Sequence, residues 1–299
     1  MPQQHSACLL CGSTHFVPLP TFQHAGLQQC KECGFVFAVQ IPTVAELTTH
    51  YNTYSRNDYI SPITVKRYEE LLDSFEAYRQ TNKIIDVGCG NGHFLKVALQ
   101  RGWEVYGTEY TDEAIAQCQA KGIKMQQGEL NPKHYAPESF DIITSFEVLE
   151  HINTPHQEIS NFHAILRKGG LVYLTTPNFN SVSKHLLKEN WSVVEYPEHL
   201  SYYTPKTLKR LFEKHQFTTL QILTTGISIG RIQLAKSKPQ TTVSQENTPA
   251  TPVNFRAEDE TLRQQAETNP LIKLAKNMIN FILNTTGKGD SLKGYFVKK

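Results

Sequence analysis

Three groups of residues in this chain have the types and spacing that chemistry requires. The first is Ile84–Leu95, where Asp86 ends an apolar run and Gly88, Gly90 and Gly92 alternate behind it. Glycines let a backbone approach a ligand that a β-carbon would push away. A strand, a glycine-rich turn and a helix start in that order form a nucleotide-cofactor site, although the turn alone is also compatible with an ordinary tight bend. The spelling is G-x-G-x-G, with His93 where a dinucleotide loop has its third glycine and no Lys-Ser/Thr to make a P-loop. Glu109 lies 21 residues beyond Gly88, where an adjacent parallel strand delivers a carboxylate to ribose hydroxyls.

The second group is Cys8-x-x-Cys11-Gly and Cys30-x-x-Cys33-Gly, separated by 18 residues. Each pair places two thiolates on a tight turn whose following glycine admits positive φ. Two such turns make a tetrahedral Cys₄ zinc site. All four ligand positions are filled, leaving none for an activated water, so the expected zinc is structural. A disulfide framework and four unrelated cysteines are the alternatives. The segment is too short to bury an adequate core alone, so metal is expected to supply much of its folding energy. The third group is Tyr196, Glu198 and His199, within a polar run ahead of Thr204-Pro205. A histidine beside a glutamate is a natural general base; a helix-capping or purely structural His199 is the alternative.

The elements that must hold these groups follow from hydrophobic period and punctuation. Strands are expected at Ile84–Val87, Val105–Thr108, Ile123–Gln126, Phe140–Ser145, Leu171–Thr176 and Phe217–Thr225. A helix should follow the glycine loop and stop near Gly102, and another should open at Thr111 with Asp112 and Glu113 in its first turn. Thr154 should cap a helix begun by Pro155, with Gln157 completing the box, and Thr204 should cap another begun by Pro205. Leu166-Arg167-Lys168-Gly169-Gly170 should turn into the fifth strand. Between the cysteines and the glycine loop, Leu71, Leu72 and Phe75 suggest a helix ending before Asn82. That lead-in carries Tyr51, Tyr54, Tyr59, Tyr68 and Tyr78, which either pack or face a ligand. Residues 236–257 are rich in Pro, Thr, Ser and Gln and read as a flexible excursion. Leu271–Asn284 is amphipathic, with Leu271, Leu274, Ala275, Met278 and Ile282 on one face. It is expected to dock on the domain or on a second subunit, a membrane surface being the other option.

Glycine loop, strand-end acid, the Phe146-Glu147-Val148-Leu149-Glu150-His151 run after strand four and Lys168-Gly169-Gly170 before strand five fit one scheme. Together they resemble class I S-adenosylmethionine (SAM) dependent methyltransferases over roughly 51–226 and the last residues. Gly289–Lys293 and Tyr295–Val297 resemble the final antiparallel strand of that family, which implies that the excursion is an insertion between strands six and seven. The resemblance implies an α/β fold: a seven-stranded, mostly parallel, doubly wound Rossmann-like sheet, here preceded by a zinc ribbon and a helical lid. It implies SAM contacts from Asp86, Gly88, Cys89, Gly90, Gly92, Phe94, Glu109, Tyr110, Glu129, Leu130 and Phe146, with Glu129 where the family more often has Asp. The Tyr-x-Glu-His spelling, with the four-cysteine module, is similar to deoxysugar C-methyltransferases, which implies that Tyr196, Glu198 and His199 line the acceptor pocket. Those proteins carry a large further C-terminal domain, which is not expected from the residues of this sequence. The Asn/Asp-Pro-Pro-aromatic run of base-amine methylases is absent after strand four.

The organisation expected is therefore a zinc ribbon over 1–42, a lid over 43–82 and a methyltransferase domain over 83–299 with an insertion at about 236–289. With 30 basic and 28 acidic residues the charge is too balanced to argue for nucleic acid. No apolar run reaches the roughly 18–20 residues of a membrane span. No signal region opens the sequence, and a cytoplasmic monomer or homodimer is expected. The function expected is methyl transfer from SAM to a small-molecule acceptor, with a nucleotide-linked sugar as one candidate and a quinone or phenolic metabolite for O-methylation as the other. A zinc-dependent RNA-binding module that modifies or scaffolds rRNA or tRNA is the reading from a different class.

Overall fold

The structure, a computed structural model, describes residues 3–43, 45–47, 59–228, 232 and 269–299. Its centre is a seven-stranded sheet of β4 (Lys83–Val87), β5 (Glu104–Glu109), β6 (Lys124–Gln127), β7 (Phe140–Phe146), β8 (Leu166–Pro177), β10 (Phe217–Thr225) and β11 (Ser291–Lys298). The order is β10-β11-β8-β7-β4-β5-β6, and β11 alone runs antiparallel to its neighbours. The seven-stranded, mostly parallel expectation is met. The order reverses between β4 and β7, so their C-terminal ends open the crevice where ligands bind in sheets of this kind.

Period-two alternation splits the strands between two cores. Ile84 and Ile142 face α1 (Pro62–Phe75), α2 (His93–Gln100) and α3 (Asp112–Ala120), sharing that core with Leu72, Phe75, Leu95 and Cys118. Ile85 and Ile143 face α4 (Pro155–Ile165) and α6 (Pro205–Lys214), with Phe162 and Phe212. Leu72 and Phe75 are wholly buried, which fixes α1 across the first face. Of the lead-in tyrosines, Tyr68 packs edge-on against Phe94 at 5.3 Å and Tyr59 is exposed, while Tyr51 and Tyr54 lie outside the described residues.

The cysteine segment forms a small antiparallel sheet of β1 (Phe16–Pro18), β2 (Leu27–Cys30) and β3 (Val36–Ala38). Its fourth strand, β9 (Ser201–Tyr202), comes from the polar run expected to line the acceptor pocket, pairing Val36 with Tyr202 and Phe37 with Ser201. Phe22, Val36, Phe179, Trp191 and Tyr202 form a third apolar cluster at this junction. The N-terminal segment is therefore tied by backbone to the run that precedes Thr204.

Three expectations need correction. Lys168-Gly169-Gly170 is not a turn before strand five: β8 runs unbroken through it, with Gly169 at φ 70° and a register shift opposite Phe140–Ile142. A glycine bulge bends a strand without ending it. Thr154 precedes α4 but its side chain makes no cap bond, whereas Thr204 and Thr207 form a reciprocal capping box at α6. The amphipathic helix, α7 (Pro270–Thr286), is present, but it meets the domain by its polar face. Asn280 Oδ1 accepts from Gly226 N–H at 2.9 Å and Asn284 Oδ1 from Thr224 N–H at 3.0 Å. These bonds satisfy backbone at the end of β10 and turn the apolar face outward. The excursion expected at 236–257 lies outside the described residues.

Candidate active site

At the end of β4 the glycine loop is held from three sides. Gly88 adopts φ 73°, and a β-carbon there would meet Val148 Cγ2 at 2.6 Å. Gly107 lies under the loop, where a β-carbon would meet Cys89 Sγ at 2.7 Å. Gly90, at φ 52°, has nothing within 4 Å of the place a β-carbon would occupy, so the loop is open at that point and packed elsewhere. Cys118 is buried in α3, and its Sγ donates to the Gly90 carbonyl at 3.3 Å.

Glu109, at the end of β5, takes Gly90 N–H on Oε2 at 3.0 Å and Tyr110 N–H on Oε1 at 2.9 Å. The strand-end acid is thus brought to the loop. Asp86 is buried and accepts from Thr144 Oγ1 at 2.7 Å. Burial pushes its carboxyl up to about 7, against the Thr144 bond and with help from the negative Glu109. Asn91 Oδ1 and Thr111 Oγ1, at either end of the loop's surroundings, are buried without a hydrogen-bond partner. An open glycine, two acids at strand ends and two orphaned oxygens fit a ligand carrying a cationic group and hydroxyls. Phe94 and Phe146 pack at 5.1 Å beside Tyr68, while Tyr110 is exposed and Leu130 buried. Glu129 is exposed at the end of β6, and its backbone carbonyl accepts from Gln126 Nε2.

Across the crevice, the run after β7 and the run before β9 close on one another. Leu200 N–H donates to the Glu150 carbonyl at 2.7 Å, and Ser201 Oγ to the Ile152 carbonyl at 2.7 Å. These ties place the rings of His151 and His199 edge to face at 4.8 Å. His199 Nδ1 lies 2.6 Å from the Val193 carbonyl oxygen, and His151 Nδ1 lies 3.0 Å from that of Glu198. A carbonyl only accepts, so each Nδ1 carries a proton, and in the neutral ring Nε2 holds the lone pair. Glu150 is buried and accepts from Thr176 Oγ1 at 2.9 Å. Burial, then the charge of Glu147, holds its carboxyl well above the ordinary carboxylate range. Burial, aided by His199, pushes His151 down to about 4.

Sequence reasoning named Glu198 and His199 but gave no role to Glu150 or His151. Both were visible in the Glu-x-x-Glu-His run; their approach to His199, 48 residues later, was not. Glu198 is buried, and its charge acts on His151. Tyr196 is partly buried against the apolar cluster under the ribbon. One ligand atom each from Glu150, His151 and His199 lies within 4.8 Å of the others, as do the four Sγ atoms of Cys8, Cys11, Cys30 and Cys33.

In the cysteine cluster, Cys8–Cys33 and Cys11–Cys30 are 3.6 and 3.5 Å apart. Zn–S bonds of about 2.3 Å in a tetrahedron place sulfurs roughly 3.8 Å apart, so the donor set fits that ion. Gly12 and Gly34, at φ 77° and 73°, close the two knuckles by donating to the carbonyls of Cys8 and Cys30.

Comparison with known proteins bears on both halves of the crevice. A family model described as a methyltransferase domain matches residues 61–222, more than half of the chain. A ubiquinone biosynthesis O-methyltransferase of Pseudomonas syringae pv. tomato is 30% identical over 128 residues, which cover 40% of this chain and 53% of that protein. The chain thus spans about half the length of that curated relative. Among solved structures, a SAM-dependent methyltransferase from Archaeoglobus fulgidus aligns with TM-score 0.52 and 16% identity, over 86% of this chain and all of that one. Geranyl diphosphate C-methyltransferase from Streptomyces coelicolor A3(2) aligns with TM-score 0.50 and 11% identity, over 78% and 77% of the two chains. At those identities the structures speak to fold alone.

Proposed function

The chain belongs to the methyltransferase-domain family of class I SAM-dependent enzymes, and on that premise we propose that it methylates a hydroxyl of a small, phenolic acceptor. The observation that carries this reading is the pair of imidazoles, each fixed at Nδ1 by a backbone carbonyl, converging with Glu150 across the crevice from the glycine loop. O-methylation requires a group that takes the hydroxyl proton as the methyl moves, and an imidazole Nε2 lone pair does this at neutral pH. The likeness to ubiquinone O-methyltransferases favours this acceptor class over a nucleotide-linked sugar.

Bound SAM supplies an electrophilic methyl on a positive sulfur. Asp86 offers a buried carboxylate to the ammonium of its methionyl part, Glu109 a carboxylate to its ribose, and Gly90 an open face. Cys89, Gly88, Gly92, Phe94, Tyr110, Glu129, Leu130 and Phe146 complete that side. With SAM bound, the methyl would pass to the acceptor oxygen with S-adenosylhomocysteine leaving, and His199 Nε2 would take the hydroxyl proton. Holding the reactants in this geometry is worth on the order of 7–11 kcal/mol. Glu198 and Tyr196 position the run that carries His199. The four cysteines hold a structural zinc, whose role is to fix β3 against β9 and so the acceptor run. The sequence divides into a ribbon over 1–42, a lid over 43–82 and the catalytic domain beyond, with the ribbon borrowing its last strand from that domain.

The convergence of Glu150, His151 and His199 favours a second reading of the same pocket. Histidine ligands ordinarily donate their other ring N–H to a carbonyl or carboxylate, as both do here. A divalent cation held by the three would acidify the acceptor hydroxyl in place of a base. Both readings are tested by methyl-labelled SAM against catechols, nucleotide-linked sugars and RNA, with and without chelator and added manganese. Label on a catechol oxygen supports the proposal, and its loss with chelator, restored by manganese, selects the second reading. Label on RNA or sugar alone overturns both.

A further inference from the structure

Two cysteines stand outside the ribbon, and they meet beneath the glycine loop. Cys89 Sγ and Cys118 Sγ are 3.9 Å apart, and both thiols are free. Their approach is made possible by two missing side chains. A β-carbon on Gly107 would stand 2.7 Å from Cys89 Sγ, and one on Gly92 would stand 2.8 Å from Cys118 Sγ. Glycine at both places clears the space in which the sulfurs face each other. Cys118 is wholly buried on α3, whereas Cys89 is only partly covered and adjoins Gly90, the open point of the loop. A small oxidant therefore has a way in from the crevice.

We propose that Cys89 and Cys118 form an oxidation site for peroxides, whose disulfide closes the glycine loop to SAM. One thiol, as thiolate, attacks a peroxide oxygen and becomes a sulfenic acid as water leaves; the other attacks that sulfur and expels a second water. The two sulfurs are oxidised, the peroxide oxygens are reduced, and both thiol protons end in the two waters. A sulfur–sulfur bond is about 2 Å long, so the present separation must roughly halve. Ala114 and Cys118 are wholly buried and anchor α3, so the loop is the part that yields. The bond also takes from the Gly90 carbonyl the thiol proton that now reaches it at 3.3 Å, while Gly90 N–H is held by Glu109 at 3.0 Å. Oxidation thus disturbs the backbone at the residue that lies open to a ligand. The loss of SAM affinity rests on the cofactor reading of the loop given above, whereas formation of the bond does not.

The test treats the full chain with hydrogen peroxide, alkylates the remaining thiols, and reads linked peptides by mass spectrometry beside calorimetric titration of SAM. Expected is a link between Cys89 and Cys118 that saturating SAM slows. SAM affinity should then lie about tenfold or more below that of the untreated protein and return with a thiol reductant. Cys118→Ser keeps a donor for the Gly90 carbonyl but cannot form the bond, and Cys118→Ala is a second variant without the hydroxyl. Each, compared with its own untreated form, should keep its SAM affinity through the treatment. The four ribbon cysteines are present in all three proteins, so oxidation there would lower affinity in all of them alike. No link in the wild type, a link that leaves affinity unchanged, or equal loss in the variants would overturn the proposal. Absence of the link faults the pair alone, whereas no SAM binding by the untreated wild type would overturn both the proposal and the cofactor reading.

Discussion

The imidazoles of His151 and His199 meet edge to face at 4.8 Å, although 48 residues separate them in sequence. Each ring is held by a backbone carbonyl at its Nδ1, which leaves Nε2 as the basic nitrogen of the neutral ring. His151→Asn preserves a donor toward the Glu198 carbonyl but removes one face of this pair. It should lower turnover by about tenfold or more while SAM affinity stays within about twofold, because the cofactor side contains neither ring. Steady-state kinetics beside calorimetric titration of SAM would check this.

Asp86 should make SAM binding pH-dependent. Its carboxyl is pushed up to about 7 in the free protein, chiefly by burial. A bound ammonium favours the ionised form, so binding below that pH must expel a proton. Affinity should fall by about tenfold per pH unit below 7 and level off above it. Titrations in two buffers of different ionisation enthalpy should report close to one proton released at pH 6, and none for Asp86→Asn, whose weaker binding should be flat with pH.

Glu109 holds both the Gly90 and Tyr110 amides. Glu109→Ala removes a charge-assisted partner worth about 1.5–3 kcal/mol, so SAM affinity should drop roughly 10–100-fold. Because Glu109 lies at a strand end outside the main core clusters, the melting transition should remain cooperative. Unchanged affinity would remove Glu109 from the cofactor side.

The proposed zinc is expected at one ion per chain, and Cys11→Ser should lower that content and loosen the ribbon. Since β3 pairs with β9, the effect should travel to the acceptor run: turnover should fall severalfold while SAM affinity is retained. Metal analysis with hydrogen exchange at Ser201 and Tyr202 would follow both ends of that path. Full zinc content, or unchanged exchange after zinc loss, would contradict it.

The central sheet was legible because buried strands repeat every two residues and glycines mark where they end; Phe217–Thr225 was read to the residue. Glycine also misled, since at Gly169 it bends a strand that continues. Spacing alone brought Glu109 to the loop, because adjacent parallel strands have a fixed geometry. The pairing of β9 with β3 was out of reach: two residues carry no periodic signal, and their partner lies far away in sequence. Amphipathicity told which residues of α7 share a face, but not which face meets the protein. Asn280 and Asn284 decide that by bonding backbone amides at the end of β10, a choice invisible without the sheet.

The central claim is that donor and acceptor are handled by opposite walls of one crevice. Single-turnover transfer from prebound, methyl-labelled SAM to a catechol, in wild type and His199→Gln, tests it most directly. The substitution keeps size and hydrogen bonding while removing the basic Nε2. We expect SAM to bind both proteins alike and the transfer rate to fall by about 10²-fold or more in the variant. Equal transfer rates, or loss of SAM binding in the variant, would contradict the division on which this account rests.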